Sequence, residues 1–206
     1  MSDIICVTNR HLCKGDFFER IEKIASCGVE AIILREKDLS ESDYYALAKK
    51  FSEICGKHKV EAILHTYADV AIKLGISSIH FPMNVLQELD GRKKNNFSKI
   101  GVSCHSVQDI LLASESGAAY ATFGHVFATD CKKGAAPRGL EALEEVCRRT
   151  KIPVYAIGGI DSGNISSVRN AGASGVCIMS GFMKCEDPKN FIHQFIDFNG
   201  GNDVEN

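Results

Sequence analysis

Eight short apolar runs rich in Ile, Val, Leu and Ala recur along this chain, spaced by roughly 25 residues. They read as strands over Ile4–Thr8, Glu30–Leu34, Val60–Leu64, Ser78–Phe81, Lys99–Ser103, Ala119–Phe123, Pro153–Ile157 and Gly175–Met179. Segments with helical spacing or helix punctuation lie between them. Asp16–Cys27 places Phe17, Ile21, Ile24 and Ala25 on one face and ends at Gly28. Ser40 and Ser106 are N-cap residues for helices running to Cys55 and to Ser116-Gly117, and Gly75 stops Ala68–Leu74. Leu140–Thr150, Asn164–Ala171 and Pro188–Phe198 complete the helices. Continuous apolar strands joined by helices imply a parallel sheet covered on both faces. Eight such units predict an α/β fold, a single-domain (β/α)8 TIM barrel at the small end of its size range. An open doubly wound sheet is the other architecture with this alternation, but no dinucleotide fingerprint is present.

The 206 residues suit one domain, expected over 1–198, with the polar, Gly-rich stretch 199–206 as a disordered tail. A net charge of -2 gives no global attraction to nucleic acid or to an acidic membrane, so anion binding has to be local. Nine scattered cysteines without a C-x-x-C pair read as reduced thiols, which together with the absence of a signal peptide points to the cytoplasm. No apolar run is long enough to span a bilayer. A homo-oligomer is compatible with this composition.

In a barrel the chemistry sits at the C-terminal strand ends. That rule selects Arg35 and Lys37 after the second strand, His65 after the third, His80 in the fourth, His105 after the fifth and His125 after the sixth. Histidines suit proton transfer near neutral pH. His125 stands out because Gly124 precedes it and a loop carrying Asp130, Cys131, Lys132, Lys133 and Arg138 follows. His80, inside an apolar strand, reads rather as a hydrogen-bonded core residue. His65 and His80 are pocket-lining candidates, and His105, near Ser103 and Ser106, is a binding candidate. His11, His58 and His193 read as solvated. Four strand-end histidines could also bind zinc, but no H-x-H pair or strand-end carboxylate accompanies them, and no metal site is assigned. Gly158-Gly159 and Ser180-Gly181 end the seventh and eighth strands, where barrels often hold a phosphate on backbone N–H groups; the alternative is that they only make tight turns. Lys132 or Lys133 would add charge to that phosphate. Arg35 and Lys37 would meet a second anionic group such as a carboxylate, unless the Arg35-Glu36-Lys37 cluster is a surface salt-bridge network.

The motifs L-R-E-K (Leu34–Lys37), G-V-S-C-H-S (Gly101–Ser106), F-G-H-V-F-A-T-D-C-K-K-G (Phe123–Gly134), A-I-G-G-I (Ala156–Ile160) and G-V-C-I-M-S-G (Gly175–Gly181) together resemble the thiamine phosphate synthase/TenI superfamily over roughly residues 4–195. The resemblance implies the barrel and two candidate activities. The synthase joins a pyrimidine pyrophosphate to a thiazole phosphate with Mg2+ on the pyrophosphate. Its pattern has a glutamine where this chain has Ile33, N-D-R where it has His65, Thr66 and Tyr67, and H-L-G-Q where it has His80, Phe81, Pro82 and Met83. Both metal carboxylates are therefore missing. His125 replaces a proline of the synthase pattern, and this loop resembles the TenI branch of thiazole tautomerases. That branch implies an isomerase with no cofactor. Its substrate is a small-molecule thiazole phosphate carboxylate, aromatised by loss of the C2 proton and protonation of the exocyclic carbon. The resemblance makes His125 the acid/base and Lys132 a ligand or charge stabiliser. It puts Arg35, Lys37, Ser103, His105, Thr129, Gly158, Gly159, Ser180 and Gly181 around the substrate. The alternatives are a Mg2+-dependent synthase and a non-catalytic regulatory barrel that binds such phosphates.

Overall fold

The computed structural model describes residues 3–132 and 134–196. Lys133, the expected tail 199–206 and positions 197–198, where the last helix is expected to end, lie outside them. Eight parallel strands close into a barrel in chain order. They are β1 (Ile4–Val7), β2 (Ala31–Leu34), β3 (Glu61–His65), β4 (Ser78–Pro82), β5 (Lys99–Cys104), β6 (Tyr120–Gly124), β7 (Val154–Ile157) and β8 (Gly175–Ile178). β8 returns to β1 through the register Ile5↔Cys177. The expected (β/α)8 barrel is thus observed, and the open sheet is not.

Ten α-helices accompany the strands among the described residues: α1 (Phe17–Ala25), α2 (Glu41–His58), α3 (Ala68–Leu74), α4 (Met83–Glu88), α5 (Gly91–Lys94), α6 (Val107–Glu115), α7 (Gly139–Arg149), α8 (Ile165–Asn170), α9 (Ser180–Lys184) and α10 (Pro188–Ile196). The caps follow the sequence. Asp16, Ser40 and Ser106 accept from the N–H groups of Glu19, Asp43 and Asp109. Gly75 ends α3 in the left-handed region. The sequence reading contains no counterpart of α4, α5 or α9, each six residues or shorter. One or two turns are too few for a helical period to show.

Strand alternation splits the core into two layers. Ile4, Cys6, Ile32, Leu34 and Leu64 point outward and pack under the helices. Ile5, Val7, Ala31, Ile33, Ile63, Tyr120, Tyr155 and Cys177 point inward and fill the barrel. Cys6 and Cys177 are buried core residues, and Cys27 is half-buried with its thiol donating to the Ile24 carbonyl. No described helix is long and apolar enough to cross a membrane.

Candidate active site

A cavity of about 590 Å3 opens at the C-terminal end of the barrel. Of the sequence-selected residues, Arg35, Lys37, His65, His80, Ser103, His105, His125, Thr129, Lys132, Gly158, Gly159 and Ser180 all line it. Gly181 does not; the space its side chain would take is filled by the Phe191 ring. Asn9, Asp130, Cys131 and Lys184 line it as well, and sequence reasoning did not select them as site residues. Lys184 could have been found from its spacing, one helical turn beyond Ser180.

The two ends of β2 and β3 are tied together from outside. Tyr44 of α2, fully buried, donates its hydroxyl to the Leu34 carbonyl (2.6 Å) and accepts from the His65 N–H (3.0 Å). The Arg35-Glu36-Lys37 cluster is not a surface network. Glu36 is 2% exposed and turns inward, where it accepts from the Thr8 hydroxyl (2.7 Å), the Arg10 N–H (3.0 Å) and the Arg10 guanidinium (3.1 Å). Arg10 also pairs with Asp38, which holds the Asp38 carboxyl well below its usual range. Arg35 and Lys37, on either side of Glu36, are left to the cavity wall. Desolvation, then Arg35, then Lys132 lower the Lys37 pKa, so three cations converge on one region.

His65 and His80 occupy the cavity floor at 4% and 2% exposure, their rings stacked at 5.6 Å. His80 has partners at both nitrogens: Tyr120 Oη at 3.1 Å from Nδ1 and Ser103 Oγ at 2.9 Å from Nε2. Burial first, then Arg35 and Lys37, push the His80 pKa down to about 3. Burial, His80, Lys37 and Arg35 likewise lower that of His65. Both rings are therefore neutral at pH 7. The expectation of a hydrogen-bonded core histidine at position 80 agrees with these contacts, and the residue faces the cavity too. His11, expected to be solvated, is exposed and also pairs with Asp38, whereas His58, expected to be solvated too, is partly buried against Glu22.

His125 follows β6 on the opposite wall, half-buried, with Nε2 3.3 Å from the Ala135 carbonyl. The segment after it is tied to the end of β7: Val126 N–H donates to the Ile157 carbonyl and Phe127 N–H to the Gly158 carbonyl. The two glycines after β7 make that approach feasible. A Cβ on Gly158 (φ +98°) would overlap His125 Cβ, and one on Gly159 would overlap the Ala128 carbonyl. Part of the Gly-Gly signal is therefore loop packing. His105 Nδ1 lies 2.7 Å from the Gly124 carbonyl, at the foot of His125.

The donor set offers a magnesium-bound pyrophosphate only the minimum of protein ligands among the described lining residues. Magnesium takes oxygen ligands with at least one carboxylate, commonly two. Asp130 is the single carboxylate among the described lining residues. No group of three or more His, Cys, Asp or Glu side chains is arranged around a metal position among the described residues.

A family model described as thiamine monophosphate synthase (TMP-TENI) matches residues 4–182. The chain is 30% identical over 198 residues to the thiamine-phosphate synthase of Clostridium tetani, covering 93% of both proteins. It is 33% identical over 197 residues to the thiamine-phosphate synthase of Clostridium acetobutylicum, covering 93% of this chain and 92% of that one. The solved thiamine phosphate pyrophosphorylase from Pyrococcus furiosus superposes with a TM-score of 0.80 at 26% identity, covering 94% of this chain and 93% of that one. The match spans every strand of the barrel and the loops that build the cavity, and the chain belongs to the thiamine monophosphate synthase/TenI family.

Proposed function

We propose that the chain is a thiazole tautomerase acting on a thiazole phosphate carboxylate. The observation that supports this reading best is His125: an imidazole on the wall of a cavity rich in cations and holding one described carboxylate. In the reaction, the C2–H bond breaks and its proton passes to an imidazole nitrogen. The electron pair shifts through the ring, the exocyclic double bond moves inward, and the exocyclic carbon takes a proton. Atoms and electrons balance without an oxidant or a leaving group. His125 is the acid/base, and Lys132 stabilises charge on the intermediate. The phosphate meets backbone N–H groups at Gly158, Gly159 and Ser180, and the carboxylate meets Arg35 and Lys37.

A second reading is the transferase itself. Relatives at 30% and 33% identity that are named thiamine-phosphate synthases favour it, and Arg35, Lys37, Ser103 and Lys132 are retained. Its obstacle is the scarcity of carboxylates for the metal. A ligand-binding barrel without turnover is the third outcome. Proton NMR of the non-aromatic thiazole phosphate carboxylate in D2O separates them. Wild type is expected to aromatise it without Mg2+ and place deuterium on the exocyclic carbon, while His125→Ala loses at least about a hundredfold in rate. Inactivity here, with thiamin phosphate formed once Mg2+ and the pyrimidine pyrophosphate are added, would establish the synthase. Binding without either reaction would leave the regulatory reading.

A further inference from the structure

Three residues on the cavity floor are arranged as a directed chain. His80 on β4, Gly101 on β5 and Tyr120 on β6 are register partners at one level of the barrel. Gly101 is the gap through which the other two meet: a Cβ there would overlap the Tyr120 ring. The Tyr120 hydroxyl thereby comes within 3.1 Å of His80 Nδ1. Two residues along β5 from Gly101, Ser103 places Oγ 2.9 Å from His80 Nε2 and lines the cavity.

The proton positions follow from satisfying each buried group. Tyr120 is 2% exposed, and the one acceptor within reach of its hydroxyl among the described residues is His80 Nδ1. A buried phenol proton needs an acceptor. Nδ1 is therefore unprotonated, and in a neutral ring Nε2 carries the hydrogen. Burial and the nearby Arg35 and Lys37 keep the ring neutral. Nε2–H then donates to Ser103 Oγ, and the serine's own proton is directed away from His80, towards the cavity.

We propose that Tyr120 and His80 are positioning residues that fix the Ser103 hydroxyl as a hydrogen-bond donor to an oxyanion of the bound ligand. The identity of that ligand rests on the thiazole reading above; the chain of three does not. An ionised carboxylate or phosphate oxygen only accepts, so a serine locked as donor suits it, whereas the opposite tautomer would turn lone pairs towards it.

The first test reads the tautomer directly. Long-range 15N–1H spectra of histidine-labelled wild-type protein at pH 7, with His80 assigned through His80→Gln, are expected to show a bare Nδ1 and a protonated Nε2. A protonated Nδ1 overturns the proposal. The second test is a double-mutant cycle read by calorimetry. Tyr120→Phe and Ser103→Ala should each weaken binding of the aromatic thiazole phosphate carboxylate by about tenfold. The double variant should bind no worse than Ser103→Ala alone. The same cycle is run with inorganic pyrophosphate. A coupled loss with pyrophosphate but not with the thiazole compound sinks the tautomerase reading and keeps the relay. Independent losses, or no binding of either probe, overturn it.

Discussion

Gly158 shows how one residue can serve two demands. Its φ of +98° lies where a side chain is strained, and its absent Cβ leaves room for that of His125. Gly158→Ala would cost about 1–3 kcal/mol of backbone strain and would push the imidazole off its wall. The prediction is a folded protein, by circular dichroism, with a kcat at least about tenfold lower. An unchanged kcat would mean that His125 does not need this seat. The sequence could flag Gly158-Gly159 as special because two glycines at a strand end are conspicuous. It could not tell loop packing from phosphate binding, since either use removes the same Cβ. Glu36 is the opposite case. A carboxylate between Arg35 and Lys37 reads as a surface charge, and its inward partners, Thr8 and Arg10, lie 28 and 26 residues away.

At the level of elements, Glu36 joins the loop after β1 to the loop after β2. Thr8 Oγ extends the clasp by accepting from the Arg35 N–H at 2.9 Å. Glu36→Gln keeps the shape but gives up the charge, so bonds to the Arg10 guanidinium and the Arg10 N–H weaken. Buried charge-assisted bonds are worth about 1.5–3 kcal/mol. The variant should melt several degrees lower. Its KM should rise more than its kcat falls, because Arg35 and Lys37 bind rather than transfer protons. Thermal unfolding and steady-state kinetics on one preparation check this. A lower melting temperature with an unchanged KM would restrict the clasp to stability. Elements were the most legible scale in the sequence. Eight apolar runs and caps such as Ser40, Ser106 and Gly75 are local signals. The helices α4, α5 and α9 were illegible because they are short, and the meeting of His80 with Tyr120 because it depends on strand register.

On the scale of the whole molecule, a barrel that buries two neutral histidines in its floor acquires a dependence on acid. The His80 pKa falls from an ordinary 6.5 to about 3 on folding, and that of His65 also falls. Between those two values the unfolded chain binds protons that the folded barrel excludes. Stability is then fully present above pH 6.5 and is lost as pH falls towards 3. Each such proton contributes a slope of about 1.4 kcal/mol per pH unit, and the His80 window sums to about 5 kcal/mol. A domain with about 5–15 kcal/mol of stability would lose much of it before most carboxylates titrate. Asp38 and Glu22, whose pKa values are held low by their cationic partners, act in a lower window, below about pH 4.5. The two effects can thus be separated. Urea unfolding from pH 7.5 to 4.5 should show the midpoint falling steadily below pH 6.5. His80→Gln cannot take up a proton there and should show a shallower fall, whatever its stability at pH 7. A wild-type midpoint that stays flat down to pH 4.5 would contradict the burial of neutral imidazoles. A variant with the wild-type slope would move the effect to His65 alone.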